Sequence, residues 1–157
     1  MSSQTILDAL KRIWADAGGA ATVLPAGQHL WHCGRISASD AIDNHRTLWT
    51  TRDPANRMKY AGLAGRDSQH ADWTDPPPAA IQLRIRRDLI AADFAGASLF
   101  DFTREHCDCS HKLMSLALRE WCLCYGFDAV VRLNRADDEV AVATPRASLE
   151  VVNVLPL

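Results

Sequence analysis

Two groups of residues in this chain have types and spacing that could do chemistry. The first is spread along it. His32 lies in the run Gln28-His29-Leu30-Trp31-His32-Cys33, which stops at Gly34. Trp49 and Tyr60 are aromatics with ten residues between them, and Thr50-Thr51-Arg52-Asp53-Pro54 opens that interval. Glu139 opens the run Glu139-Val140-Ala141-Val142-Ala143, directly after a polar turn. An imidazole can hold a hydroxyl through one ring nitrogen while a backbone group fixes the other. Aromatic faces stack on planar rings and attract cations. A single fixed carboxylate can stabilise positive charge as it develops. Singly, each residue also has an ordinary reading: a satisfied strand histidine, core aromatics, an exposed strand-end carboxylate.

The second group is His106-Cys107-Asp108-Cys109-Ser110-His111, with Cys122 and Cys124 a helix later. Thiolates and imidazoles are zinc donors, but one residue separates Cys107 from Cys109 where zinc motifs place two to four. The reading is no metal, with the helical cysteines acting as small apolar residues. Cys33 beside His32 does not make a nucleophile pair, because neighbours on a strand point to opposite faces.

These residues need elements to position them. Ser2 or Ser3 caps a first helix carrying Ile6, Leu7, Leu10, Ile13, Trp14 and Ala17 at helical spacing, ended by Gly18-Gly19. Leu24-Pro25-Ala26-Gly27 is a turn into a strand over 28–33, with Leu30 and His32 on one face. Residues 47–51 are rich in strand formers. Asp53-Pro54 starts a helix running from Ala55 to about Leu63, with Tyr60 on it. Residues 62–79, with Trp73 and three consecutive prolines, read as a long loop able to cover a ligand or present an acceptor. Ile81, Leu83 and Ile85 alternate with Gln82, Arg84 and Arg86, a half-buried strand with an arginine face. Arg84, Arg86 and Arg87 read as a solvated face rather than a phosphate site. Ser110 caps a helix carrying Leu113, Met114, Ala117, Leu118, Trp121 and Cys124, closed by Tyr125-Gly126. Further strands are expected over 129–133, 139–143 and 149–155. Helix, strands, helices and a strand-rich end predict one α+β domain over 1–157 rather than alternating βαβ units.

The 157 residues suit one domain. A content of 48% hydrophobic and 23% charged residues excludes wholesale disorder. No apolar run approaches the ~20 residues needed to cross a bilayer, and the polar start does not read as a secretory signal. A net charge of −2 argues against a general nucleic-acid binder. Five cysteines, four of them within 107–124, predict reduced thiols and a cytoplasmic setting, with a Cys107–Cys124 disulfide left open.

The three blocks of the first group, in this order, resemble the ADP-ribosyltransferase-like superfamily, in the histidine–tyrosine–glutamate branch of diphtheria-type toxins and poly(ADP-ribose) polymerases. Leu24 to His32 is similar to the family's first strand. Trp49 and Tyr60 are similar to its two nicotinamide-flanking aromatics. Gly126-Phe127-Asp128-Ala129-Val130 followed by Glu139 to Pro145 resembles its C-terminal turn, glutamate strand and final strand. The likeness covers about 24–61 and 122–155. It implies a split β-sandwich with flanking helices. It also implies an enzyme that cleaves the nicotinamide–ribose bond of NAD and passes ADP-ribose to an acceptor, expected to be a protein, or to water as a glycohydrolase. Glu139 would be catalytic, beneath an oxocarbenium-like ribose. His32, Gly34, Trp49, Thr50 and Tyr60 would bind the cofactor, Thr50 ranking ahead of Thr51 as a support. Lone domains of this kind are often bacterial effector toxins, which implies cytoplasmic action in the producing cell or in one the protein is delivered into.

Departures bear on the acceptor and site. Trp49 stands where the toxins most often have tyrosine. Asp137, two before Glu139, replaces the Glu or Gln of arginine-modifying members, although Arg35 lies near His32. Cys33 replaces the glycine that comes after the histidine in the polymerases. Glu150 is a rival carboxylate placed where the pattern expects none. Alternatives are a non-catalytic α+β protein-binding module and an RNA 2′-phosphotransferase-like enzyme, the latter disfavoured by the acidic balance.

Overall fold

A computed structural model describes residues 3–56, 79–97, 111–133 and 138–156. Within these, α1 (Ser3–Asp16) is followed by β1 (Ala20–Leu24), β2 (His29–Gly34), β3 (Leu48–Thr51), β4 (Ala79–Ile85) and β5 (Leu89–Asp93). Then come α2 (His111–Tyr125), β6 (Ala129–Val131), β7 (Glu139–Val142), the short α3 (Pro145–Ser148) and β8 (Leu149–Pro156). Single 3₁₀ turns lie at Ser39–Ala41 and Pro54–Asn56. The chain is mixed helix and strand, in keeping with an α+β reading. The helix expected over 55–63, with Tyr60, and the loop expected over 62–79 fall almost wholly outside the described residues. So do Cys107 and Cys109.

The strands form one sheet in the order β1-β5-β6-β7-β3-β2-β4-β8. Among the described strands only β5 and β6 run parallel; α2 lies between them in the chain, as parallel neighbours require a long crossover. The sheet buries two separate clusters. On one face, Ile6 and Leu10 of α1 and Met114, Leu118 and Trp121 of α2 pack on Ala92, Val130 and Ala141. Trp14, Trp121 and Phe127 form its aromatic centre, with ring centroids 5.4 to 5.8 Å apart. On the other face, Leu89, Ala91, Val131 and Val140 from one half of the strand order share a cluster with Leu30, Ile81, Leu83 and Leu149 from the other half. The sheet therefore curls so that one face closes on itself. The Ile85 carbonyl and amide meet the Gly27 amide and Gln28 carbonyl at 2.8 and 2.9 Å, extending the β2–β4 pairing past His29.

Local chemistry accounts for these elements. Gly126 comes directly after α2 with φ of 77°, the left-handed conformation that ends helices. The Asp53 carboxylate accepts the Ala55 amide at 2.9 Å, as a helix-starting cap does. Two strands escape sequence periodicity. Over β1, Ala20 to Val23 are exposed and only Leu24 is buried, so there is no alternation to read. In β5, the buried pair Ala91-Ala92 interrupts the pattern.

Candidate functional site

The site expected from sequence falls on three strands that neighbour one another in the sheet, β2, β3 and β7. Their pairing is uneven. β3 and β7 pair continuously from Leu48–Val142 to Thr51–Glu139, and the Arg52 amide extends the ladder to the Asp138 carbonyl at 2.8 Å. β2 and β4 pair over six positions. Between β2 and β3 the register is the single pair Trp31–Thr51. The two halves of the sheet meet at this seam.

His32 bridges the seam. Its Nδ1 lies 2.7 Å from the Trp49 carbonyl oxygen. A carbonyl only accepts, so Nδ1 carries the hydrogen. In the neutral ring Nε2 is then left as an acceptor for a hydroxyl donor. Burial pushes the imidazole pKa below its ordinary value, partly countered by the Trp49 bond, so the neutral form is favoured. Gly34 makes room for this ring. A Cβ there would run into Nε2 and lie 3.0 Å from Cδ2. The bond between imidazole and carbonyl thus adds a side-chain link beside the single β2–β3 register pair.

Trp49 is anchored rather than free. Its Nε1 donates to Ser115 Oγ at 2.8 Å, and its half-buried ring packs against the helix-side cluster. The neighbouring Thr47 hydroxyl donates to the Ser115 carbonyl at 2.7 Å. Thr50 is buried, and its hydroxyl donates to the Val140 carbonyl at 2.8 Å. It therefore braces β7 one residue beyond Glu139. Glu139 is half-buried at the first position of β7, directly across from Thr51. By the strand pleat, Trp49, Thr51 and Glu139 share the helix-bearing face, while Thr50 and His32 belong to the other. The structure thus places His32, Gly34, Trp49 and Thr50 along the β2–β3 seam and Glu139 one strand away on β7, with His32 and Thr50 on one face of the sheet and Trp49 and Glu139 on the other. Tyr60 lies outside the described residues.

Other sequence candidates are engaged elsewhere. Glu150 pairs with Arg84 across β8 and β4. Arg87 binds Asp128 through both guanidinium nitrogens, at 3.0 and 3.3 Å. Asp128 also accepts the Ile90 amide at 2.9 Å, so the Gly126-Phe127-Asp128 turn clamps β5 to β6. Phe127 completes the aromatic centre. Among the described residues no His, Cys, Asp or Glu cluster could hold a metal ion. Cys122 is buried, and burial pushes its thiol up to about 12, as expected of an inert apolar filler.

Sequence reasoning missed Ser115 and Thr47. The signal existed: Ser115 is a hydroxyl beside Met114 within the apolar stripe of α2, where an unpaired polar group is costly. Comparison with protein-family models, curated proteins and solved structures finds no match.

Proposed function

We propose that this chain is an NAD-dependent ADP-ribosyltransferase-like enzyme, in which the curled sheet is a split β-sandwich opened at the β2–β3 seam. The observation that carries the reading is the His32 imidazole, held across the seam by the Trp49 carbonyl with Nε2 left as an acceptor. A ribose hydroxyl is the group such a nitrogen suits. Glu139, braced through β7 by Thr50 and paired to Thr51, supplies the carboxylate for a cationic ribose as the nicotinamide leaves; since it lies on the face opposite His32, this reading requires the ribose to enter the β2–β3 gap between them. The half-exposed part of the Trp49 ring, locked by Ser115, supplies a flat surface for nicotinamide. ADP-ribose then passes to a protein acceptor or to water.

Purified protein should release nicotinamide from NAD, and Glu139→Gln and His32→Ala should each strongly lower the release while leaving the fold intact by circular dichroism. Turnover unchanged in both variants would overturn the assignment.

A second reading has its own support. Trp49 and Thr50 both direct their polar atoms into the fold, as residues of a non-catalytic binding module would. Absence of turnover together with absence of an NAD-dependent rise in melting temperature would favour it.

A further inference from the structure

Among the described residues, two other than glycine take a left-handed backbone: Ala95 with φ of 52° and Arg132 with φ of 53°. They lie just past the carboxyl ends of the parallel neighbours β5 and β6, and they are tied together. Arg132 donates to the Asp93 carboxylate through Nε at 2.8 Å and through a terminal nitrogen at 2.7 Å. The same carboxylate accepts the Ala95 amide at 2.8 Å, and the Gly96 amide donates to the Arg132 carbonyl at 2.6 Å. The Arg132 hydrogen bonds hold the Asp93 carboxyl below the usual carboxylate range despite its burial, so the clamp is charged at neutral pH. By strand alternation Arg132 belongs with Val130 to the helix-bearing face, and Asp93 with Ala91 to the other. The left-handed turn, costly for a residue with a Cβ, takes the guanidinium out of that alternation and across to Asp93.

The register shows what this turn avoids. β6 and β7 pair Val131 with Val140, and one further step sets Arg132 across from Glu139. Both then belong to the helix-bearing face, where opposite charges directly across antiparallel strands attract. Asp93 lies on the far side of β6 from β7, and it draws the Arg132 fork that way. We propose that Asp93 is a positioning residue for Glu139: by holding Arg132 toward β5, it keeps that guanidinium from neutralising the carboxylate. The inference rests on the reading of Glu139 as the carboxylate of the site. Arg52 and Asp138, joined through their backbones beside Glu139, are common to all the variants below and cancel in the comparison.

Glutamate isotopically labelled at the side-chain carboxyl carbon, followed by NMR against pH in the full chain, tests it. The chain has four glutamates, and the signal lost in Glu139→Gln assigns the one of interest. In Asp93→Asn, which keeps a side-chain oxygen for the Ala95 amide, the Glu139 midpoint should move about one unit toward acid pH as Arg132 turns to it. It should return in the double variant Asp93→Asn/Arg132→Gln. Nicotinamide release should follow: kcat about tenfold lower in Asp93→Asn, with the KM for NAD little changed, and restored in the double variant. A merely structural clamp predicts no restoration, because the double variant lacks both partners. Arg132→Gln alone should leave the midpoint at its native value, which keeps the test valid if Asp93→Asn misfolds. A rise of the midpoint in Arg132→Gln, or an unmoved midpoint in Asp93→Asn, would overturn the proposal. The shift and its reversal in a protein without turnover would support it and count against the enzymatic reading alone.

Discussion

The β2 strand has two neighbours and meets them differently. Toward β4 it pairs through six positions, and β4 in turn pairs with β8 along its length, around buried Leu30, Ile81 and Leu83. Toward β3 it pairs once, and a histidine side chain makes the next connection. A full ladder satisfies its backbone internally and leaves nothing for a ligand. A broken one leaves polar groups that side chains or ligands must satisfy. His32 and Gly34 lie at the break, while Glu139 lies on the continuous β3–β7 ladder beside it.

This contrast can be broken or sharpened by substitution. The largest effect is expected beside the break. Glu139→Gln should lower nicotinamide release on the order of 10²–10³-fold, equivalent to ~3–4 kcal/mol of transition-state stabilisation. Glu150→Gln, on the β4–β8 ladder, should leave the rate unchanged in the same assay. On the ladder side, Leu83→Ala should cost about 3 kcal/mol of stability by urea unfolding, through the cavity left in a fully buried position. Its turnover per folded molecule should stay intact. Gly34→Ala should lower stability by about 1–2 kcal/mol, because the added methyl displaces the His32 ring, and should weaken ligand binding more than Leu83→Ala does.

The smallest effect is the pH dependence contributed by His32. Its folded pKa lies below the unfolded value of about 6.5, so the unfolded chain takes up the proton first. Its contribution to stability is complete above that value and is lost as the pH falls from there toward the folded pKa. Urea midpoints measured between pH 7.5 and 5.5 should therefore fall further in the native protein than in His32→Asn. Asp43 and Asp93, held below the usual carboxylate range by their backbone and arginine hydrogen bonds, lose their contributions only in more acid solution. The two windows are thus separable. Equal slopes in native protein and variant between pH 7.5 and 5.5 would refute a buried, neutral imidazole.

Much of the architecture is legible in the residues alone. The apolar stripes of α1 and α2, the alternation in β4, and the glycine and proline stops place most elements within a residue or two. β1 and β5 are not legible in that way. One has an exposed face with little alternation, and the other carries small residues buried on both sides. Of the site, His32, Gly34, Trp49, Thr50 and Glu139 stand out by type and order. Their actual bonds do not: nothing local says that Trp49 is held by a serine 66 residues away or that Thr50 reaches the carbonyl of Val140.

By itself, then, the sequence determined residue type, local element and burial tendency, because these depend on side-chain chemistry and short-range periodicity. Only the tertiary structure decided that β2, β3 and β7 are neighbours, that the first two share a single register pair, and that an imidazole links them beside it. Those facts depend on contacts between residues distant in the chain, and they are set by how the curled sheet buries two cores at once rather than by any local preference.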